Sequence, residues 1–360
     1  MRVKRPPVCL ALLVLPVVAM GLLYLRPASE AAPQTVIAPK VLTVTMYQTG
    51  DPLAGGTGEA TAWVQNDTLD RLIDIPGAYS PLYCNASYDH CLTITGEGAV
   101  NAAASLMAIA LSDRLDLSRT YLMLAGIAGT PPDAGTLGAA AWGDWVVAAD
   151  IINEIDAREL PLDVPYPKFR WGCAVPWCDT SSRVGVEVFR TNPVMTEWAY
   201  RLSKDVPLAD NDTARAYRSL FPEGLPARQA PFVTTCGIIS DSTFWAGTLL
   251  SNWATWWMQQ WTDGQGHYCM VAIEDTSMLA VLTRLHESGR VDFNRATVLR
   301  TASDFDQQHP GQTAQEALAV SMSAVSGGGD IALQNAYLVG SAVVREIVGN
   351  WPRWEAGPPP

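Results

Sequence analysis

The stretch Thr93-Ile-Thr-Gly-Glu-Gly-Ala-Val-Asn-Ala-Ala-Ala104 gives the strongest indication of the fold. Residues 91–95 have the apolar and β-branched composition of a strand, and Gly96-Glu97-Gly98 ends that strand in a turn. Residues 99–111 follow with the small side chains of a helix that packs tightly on a sheet. A strand, a turn and a helix in this order predict an α/β fold.

Further elements of the same kind are predicted along the chain, and no second domain boundary is visible between them. We therefore expect one α/β domain over residues 36–360. Four tryptophans at helical spacing, from Trp253 to Trp261, predict a helix whose aromatic stripe is packed or faces another subunit. The predicted strands are residues 41–46, 120–125, 144–149, 268–273 and 296–301, and the last predicted helix is residues 330–348.

Residues 1–35 have the pattern of an export signal. Three basic residues, Arg2, Lys4 and Arg5, precede the apolar run 8–25. This run fits both a cleaved signal peptide and an uncleaved membrane anchor, and the sequence leaves both open. The positive-inside rule places residues 36–360 outside the cytoplasm in either case, periplasmic or extracellular. One apolar segment cannot by itself enclose a path for a polar solute.

Six cysteines beyond the leader suit an oxidising compartment, and we expect disulfide bonds among them. Their spacings are not those of zinc motifs, and the chain has only four histidines, so neither a metal nor another cofactor is predicted. The net charge of −12 argues against nucleic acid as a partner. The cysteines fall as Cys84 and Cys91, Cys173 and Cys178, and Cys236 and Cys269.

Polar or glycine-rich motifs follow several predicted strands, where an open α/β sheet gathers its ligand. These motifs are Thr93 to Ala104, Leu124-Ala-Gly-Ile-Ala-Gly129, Glu154-Ile-Asp-Ala-Arg-Glu159, Glu274-Asp275 and Arg300-Thr-Ala-Ser-Asp-Phe-Asp306. Taken in order, they resemble the purine nucleoside permease family over residues 40–352. Through that family the chain is similar, more distantly, to nucleoside phosphorylases and nucleosidases. The resemblance implies a three-layer α/β/α sandwich with a mixed central sheet, purine nucleosides as ligands, and a homo-oligomer.

The resemblance also implies roles for individual residues. Asp304 matches the acid that bonds purine N7 and promotes departure of the base, and Ser303 beside it would orient the carboxyl group. Glu274 matches the carboxylate that accepts hydrogen bonds from the ribose hydroxyls. Phe244 matches an aromatic that stacks on the base. Two structural alternatives remain open, Phe244 as a core residue of a strand and Asp304 as a helix N-cap.

The residue that positions water in nucleosidases has two candidates here. Glu59 is displaced from the first strand by an apparent insertion over residues 49–58, and Glu97 is the substitute. Gly96 and Gly126 permit close approach of a ligand, although residues 126–129 also fit a tight strand-to-helix turn.

The phosphorylases hold phosphate with an Arg and a Ser at positions that are Leu124 and Ile127 here, so phosphorolysis is not expected. The resemblance favours hydrolysis of purine nucleosides, because a binding protein does not require both Asp304 and Glu274. The alternatives are a non-catalytic nucleoside-binding component of transport and an inactive structural subunit.

Overall fold

The computed structural model describes residues 35–358, so the leader predicted over residues 1–35 lies outside the described part of the chain except for its last residue. Residues from Val36 onward form one compact unit. No helix within residues 35–358 combines the length and apolarity needed to cross a bilayer. The strands are, in chain order, β1 (Val41–Thr45), β2 (Gln48–Thr49), β3 (Thr57–Gly58), β4 (Arg71–Ile73), β5 (Leu82–Cys84), β6 (His90–Ile94), β7 (Tyr121–Thr130), β8 (Ala140–Ala148), β9 (Ile152–Glu154), β10 (Lys168–Arg170), β11 (Val188–Arg190), β12 (Val233–Ser240), β13 (Tyr268–Ala272) and β14 (Ala296–Phe305).

Ten of these strands form one mixed sheet, in the order β11-β8-β12-β13-β7-β1-β6-β5-β4, with β14 paired to both β7 and β8. The pairs β1–β6, β1–β7, β8–β12, β12–β13 and β7–β14 are parallel. The remaining pairs, among them β8–β14 and β5–β6, are antiparallel. The parallel pairs form two sets, one of β1, β6, β7 and β14 and the other of β8, β12 and β13, and antiparallel pairs join the two sets.

Helices cover both faces of the sheet, which confirms the predicted three-layer sandwich. Alternate residues of a strand point to opposite faces, so Leu122 and Leu124 pack with α2 and α6 while Tyr121 and Met123 pack with α1, α3 and α8. The helices are α1 (Thr61–Asn66), α2 (Ala99–Ala110), α3 (Pro193–Ser203), α4 (Asp212–Arg218), α5 (Thr248–Trp261), α6 (Asp275–Glu287), α7 (Ala314–Ser321), α8 (Gly328–Gly349) and α9 (Trp351–Trp354).

Two strands, β7 and β14, run further at their carboxyl ends than the sequence predicts, and both corrections concern the site. Residues 126–129 are the second half of β7 and form no strand-to-helix turn, because each of them pairs with a residue of β14. Asp304 lies within β14 and caps no helix. The local sequence does not show these extensions. The residues concerned are mostly small, and the pairing that keeps them in a strand comes from a strand far away in the chain.

The aromatic stripe and the disulfides agree with expectation. Trp253 and Trp257 of α5 are fully buried. Cys84–Cys91 links β5 to β6 and Cys236–Cys269 links the neighbouring strands β12 and β13. Cys173–Cys178 closes the turn that follows β10.

Candidate active site

A cavity of about 570 Å³ lies at the carboxyl ends of the central strands. Its walls come from the residues after β1, from the second half of β7, from the ends of β13 and β14, from the loop 241–247 and from residues 321–324. A volume of this size is in the range of small-molecule sites. Glu59, Glu274 and Asp304, which are separated widely in the sequence, all line it.

Asp304 is directed into the cavity by an irregularity in β14. Ala302 pairs with Ala128 and Asp304 pairs with Gly129, so Ser303 is an extra residue that bulges from the ladder. The Ser303 hydroxyl donates to Asp304 Oδ1 over 2.7 Å. Burial raises the pKa of Asp304 to about 7, although the hydroxyls of Ser303 and Ser321 favour the ionised form. A carboxyl group with this pKa can donate a proton near neutral pH.

Glu274 stands at the start of α6 and connects two walls of the cavity. Its Oε1 accepts a hydrogen bond of 3.0 Å from the backbone amide of Gly98, and its Oε2 lies 3.5 Å from Arg300 Nη2. Burial raises the pKa of Glu274, while the charge of Arg300 acts against that rise. The predicted pair of acids, Glu274 and Asp304, is thus brought to one cavity.

Arg300 is a site residue to which sequence reasoning assigned no role. It is 1% exposed and donates through Nε and Nη2 to Asp275, while its Nη1 donates to the carbonyl of Ile127. Burial disfavours the charged guanidinium, but Asp275 and Glu274 outweigh this effect and raise its pKa. A signal for this role exists in the sequence. An arginine inside the otherwise apolar and threonine-rich strand β14 must find acids, and Glu274-Asp275 are adjacent acids after another strand.

Glu59 reaches the cavity because the hairpin of β2 and β3 returns the chain to the end of β1. Its Oε2 accepts hydrogen bonds from the backbone amides of Met46 and Tyr47, at 2.7 and 3.0 Å, and its Oε1 accepts one of 2.8 Å from Ile127. Burial raises the pKa of Glu59 to about 7, against the opposing charge of Arg300 and the amides of Met46 and Ile127. The insertion predicted over residues 49–58 is this hairpin.

Of the other predicted site residues, some line the cavity and some do not. Phe244 lies in the loop after β12 and is 45% exposed at the cavity, so the reading of it as a core residue of a strand is wrong. Glu97 lines the cavity but is exposed. Gly96 and Gly126 are absent from the lining among the described residues. A Cβ on Gly126 would lie 2.5 Å from both Arg300 Nη1 and Glu59 Oε1, so this glycine makes room for the charged network.

Known proteins resemble this chain over most of its length. A family model described as purine nucleoside permease matches residues 38–359. The chain is 32% identical to a probable purine nucleoside permease of Schizosaccharomyces pombe, over 95% of this chain and 98% of that one. It is 28% identical to a purine nucleoside permease of Candida albicans, over 90% of this chain and 78% of that one.

Solved structures with the same fold include a 5'-methylthioadenosine/S-adenosylhomocysteine nucleosidase from Neisseria meningitidis, solved with methylthio-immucillin-A. It is 15% identical, with a TM-score of 0.51, over 85% of this chain and 99% of that one. At this level of identity the likeness shows the fold, which is that of the nucleoside phosphorylases.

Proposed function

The chain belongs to the purine nucleoside permease family, and from that premise we propose that it binds purine nucleosides outside the cytoplasm and hydrolyses their N-glycosidic bond. The observation that carries this proposal is that Asp304, Glu274 and Glu59 reach one cavity from three distant segments. In this proposal residues 36–360 are the nucleoside domain and residues 1–35 are a signal peptide or a membrane anchor. The three disulfides suit an exported protein.

Asp304 acts as the general acid in this reaction. As the bond between C1' and N9 breaks, its electron pair passes into the purine ring, and a proton from Asp304 to N7 makes the base a better leaving group. A pKa of about 7 keeps a large part of Asp304 protonated near neutral pH. Phe244 covers the face of the base as it leaves.

Glu274 holds the ribose. A carboxylate that accepts hydrogen bonds from the sugar hydroxyls fixes the orientation of the ring and favours positive charge at the anomeric carbon. The amide of Gly98 and the guanidinium of Arg300 hold this carboxylate in place from two sides.

Glu59 is the base that receives a proton from the attacking water while the water oxygen bonds to C1'. The step leaves Asp304 ionised and Glu59 protonated, and Glu59 then releases a proton to solvent while Asp304 takes one up, which restores the starting state. Three backbone amides donate hydrogen bonds to the Glu59 carboxylate, so this carboxylate already occupies the place in which backbone amides could hold an anion. A phosphate dianion would have to approach this carboxylate, and Leu124 and Ile127 provide no cation to hold it. Both facts favour water over phosphate as the nucleophile.

A second candidate is a non-catalytic nucleoside-binding component of purine nucleoside transport. The names of the family and of its yeast relatives favour it. Such a component would need the cavity, Phe244 and Glu274, but it would not need an acid with a pKa near 7 beside the base.

The deciding experiment incubates the purified protein with inosine and adenosine, with and without phosphate, and measures free base. The proposal expects release that does not depend on phosphate. Asp304→Asn should abolish release while calorimetry still detects binding. Asp205→Asn, at an aspartate 85% exposed, is the matched control and should behave as wild type. Binding without release by the wild type would favour the transport component, and release that requires phosphate would refute hydrolysis.

A further inference from the structure

The segment between β8 and β11 contains a hairpin with an unusually buried second strand. Strand β10 pairs with β9, in the register Lys168 with Glu154. All three residues of β10 are buried although two of them are cationic. Lys168 Nζ lies 4.8 Å from the ring centre of Trp253 in α5. A buried lysine is costly unless a partner compensates its charge.

The partner of Lys168 belongs to the wall of the cavity. Lys168 Nζ donates to Asp241 Oδ2 over 2.9 Å, and Asp241 is 1% exposed. The other oxygen, Asp241 Oδ1, accepts a hydrogen bond of 2.9 Å from the backbone amide of Thr243. The Asp241 carboxylate therefore joins the hairpin to the loop that carries Phe244.

A second contact connects the same two parts of the chain. The Ser242 hydroxyl donates to Asp150 Oδ2 over 3.1 Å, at the point where the segment leaves β8. Phe244 itself is 45% exposed, so its own packing does not fix its position. Trp245 of the same loop is buried at 7% exposure, and the two hydrogen bonds of Asp241 and Ser242 join the loop to the hairpin segment.

The hairpin is in turn held together beyond β10. Cys173–Cys178 closes the following turn, and the backbone amide of Arg170 donates to the carbonyl of Pro176 inside that turn. The Arg170 guanidinium donates to the carbonyl of Cys178 and stacks on Trp177. The disulfide thus secures the strand from which Lys168 projects.

We infer that Lys168 is a positioning residue, which acts through Asp241 to fix the base-stacking loop 241–247, and that the hairpin closed by Cys173–Cys178 is the clamp that holds it. This inference rests on the proposed function, because it assigns the loop to nucleoside binding. Lys168 does not line the cavity, so its effect falls on affinity for the base and little on the reacting atoms.

The test combines kinetics with an observation that needs no ligand. Lys168→Met should raise KM for inosine about tenfold or more, with kcat changed far less, because the uncompensated Asp241 releases the loop. The double variant K168M/D241N should recover much of the affinity, since the asparagine amide is neutral and its carbonyl oxygen still accepts from the amide of Thr243. Arg158→Met is the matched control, because Arg158 pairs with Asp156 in the same segment but is 88% exposed, and its KM should not change.

Hydrogen exchange separates this inference from the proposed function. In K168M the backbone amides of residues 242–246 should exchange faster than in wild type or R158M, while those of β1 stay protected. The variant C173A/C178A, which is altered away from the cavity, should show the same faster exchange at residues 242–246. It provides the test if K168M does not fold. Unchanged exchange at 242–246 in these variants overturns the clamp. Absence of nucleoside binding by the wild type overturns the proposed function alone.

Discussion

Gly126 shows how one absent side chain permits the charged network of the site. A Cβ built on it would lie 2.5 Å from Arg300 Nη1, Glu59 Oε1 and Met46 Cε, although Gly126 lies in the interior of β7 and needs no unusual backbone angle. The methyl group of alanine would therefore push Arg300 and Glu59 apart. The glycine is required for space and not for flexibility.

Gly126→Ala should lower kcat/KM by at least about 100-fold and destabilise the protein by roughly 1–3 kcal/mol, the usual cost of overpacking a tight interior. Steady-state kinetics and urea unfolding measure the two effects. Gly349→Ala is the control, because a Cβ at that position meets nothing within 4 Å. A fully active G126A variant would show that Glu59 and Arg300 do not need their present positions.

Glu59 and Asp304 set the expected pH dependence of hydrolysis. The active form needs Glu59 ionised to accept a proton and Asp304 protonated to donate one. Burial raises the pKa of each group to about 7. The profile of kcat/KM should therefore be bell-shaped with its maximum near pH 7, falling on the acid side as Glu59 gains a proton and on the alkaline side as Asp304 loses one. Rate measurements from about pH 5 to 9 check this, and a profile that rises steadily to the alkaline limit would exclude Asp304 as the acid.

The strands β12 and β13 carry two walls of the cavity, and Cys236–Cys269 fastens them together. This bond closes a loop with a sequence separation of 33, whereas Cys173–Cys178 closes one of 5. Chain entropy predicts that losing the first costs about 3–4 kcal/mol and losing the second about 2 kcal/mol. Urea unfolding of C236A/C269A and C173A/C178A, followed by tryptophan fluorescence, measures the difference. A larger loss from C173A/C178A would contradict the entropic account.

The central strands and the helix α2 were accessible to sequence reasoning, because periodicity and local turn residues specify them. The resemblance supplied the three-layer arrangement and the pair Glu274 and Asp304. The extension of β7 through Gly126 was not accessible, since it depends on pairing with β14, more than a hundred residues later in the chain. Residues 321–324 were also missed, because no local pattern marks the end of α7 and the loop after it as a cavity wall.

Within residues 35–358 the fold buries seven carboxyl side chains but five lysine and arginine side chains. Arg300 faces Glu59, Glu274 and Asp275, while Asp304 has hydroxyl partners and Asp306 accepts from Tyr268. Burial raises the pKa of Asp306 to about 7 as well. Ionisation of these buried carboxyl groups near neutral pH therefore destabilises the folded protein, and groups with shifted pKa values of this kind are common at functional sites. Replacing Asp304, whose partners are hydroxyl groups, should cost activity and increase stability, whereas replacing Asp275 would leave the buried Arg300 without its main partner.

The pH dependence of unfolding follows from this charge. Glu59, Asp304 and Asp306 have pKa values of about 7 in the folded protein but ordinary values of 4.5, 3.8 and 3.8. Between these limits the folded state binds more protons at these groups than the unfolded state, so the stability that these three groups contribute is full below about pH 4 and is lost as pH rises through about 7. The melting temperature should be several degrees higher at about pH 5 than at about pH 8.

Asp304→Asn removes one such group, so it should raise the melting temperature more at the alkaline end of this range than at the acid end. Asp205→Asn should do neither, because its carboxylate is exposed. Melting curves of D304N that run parallel to wild type across this range would mean that Asp304 is ionised without cost in the folded protein, and Asp304 would then lack the proton that the hydrolytic mechanism assigns to it.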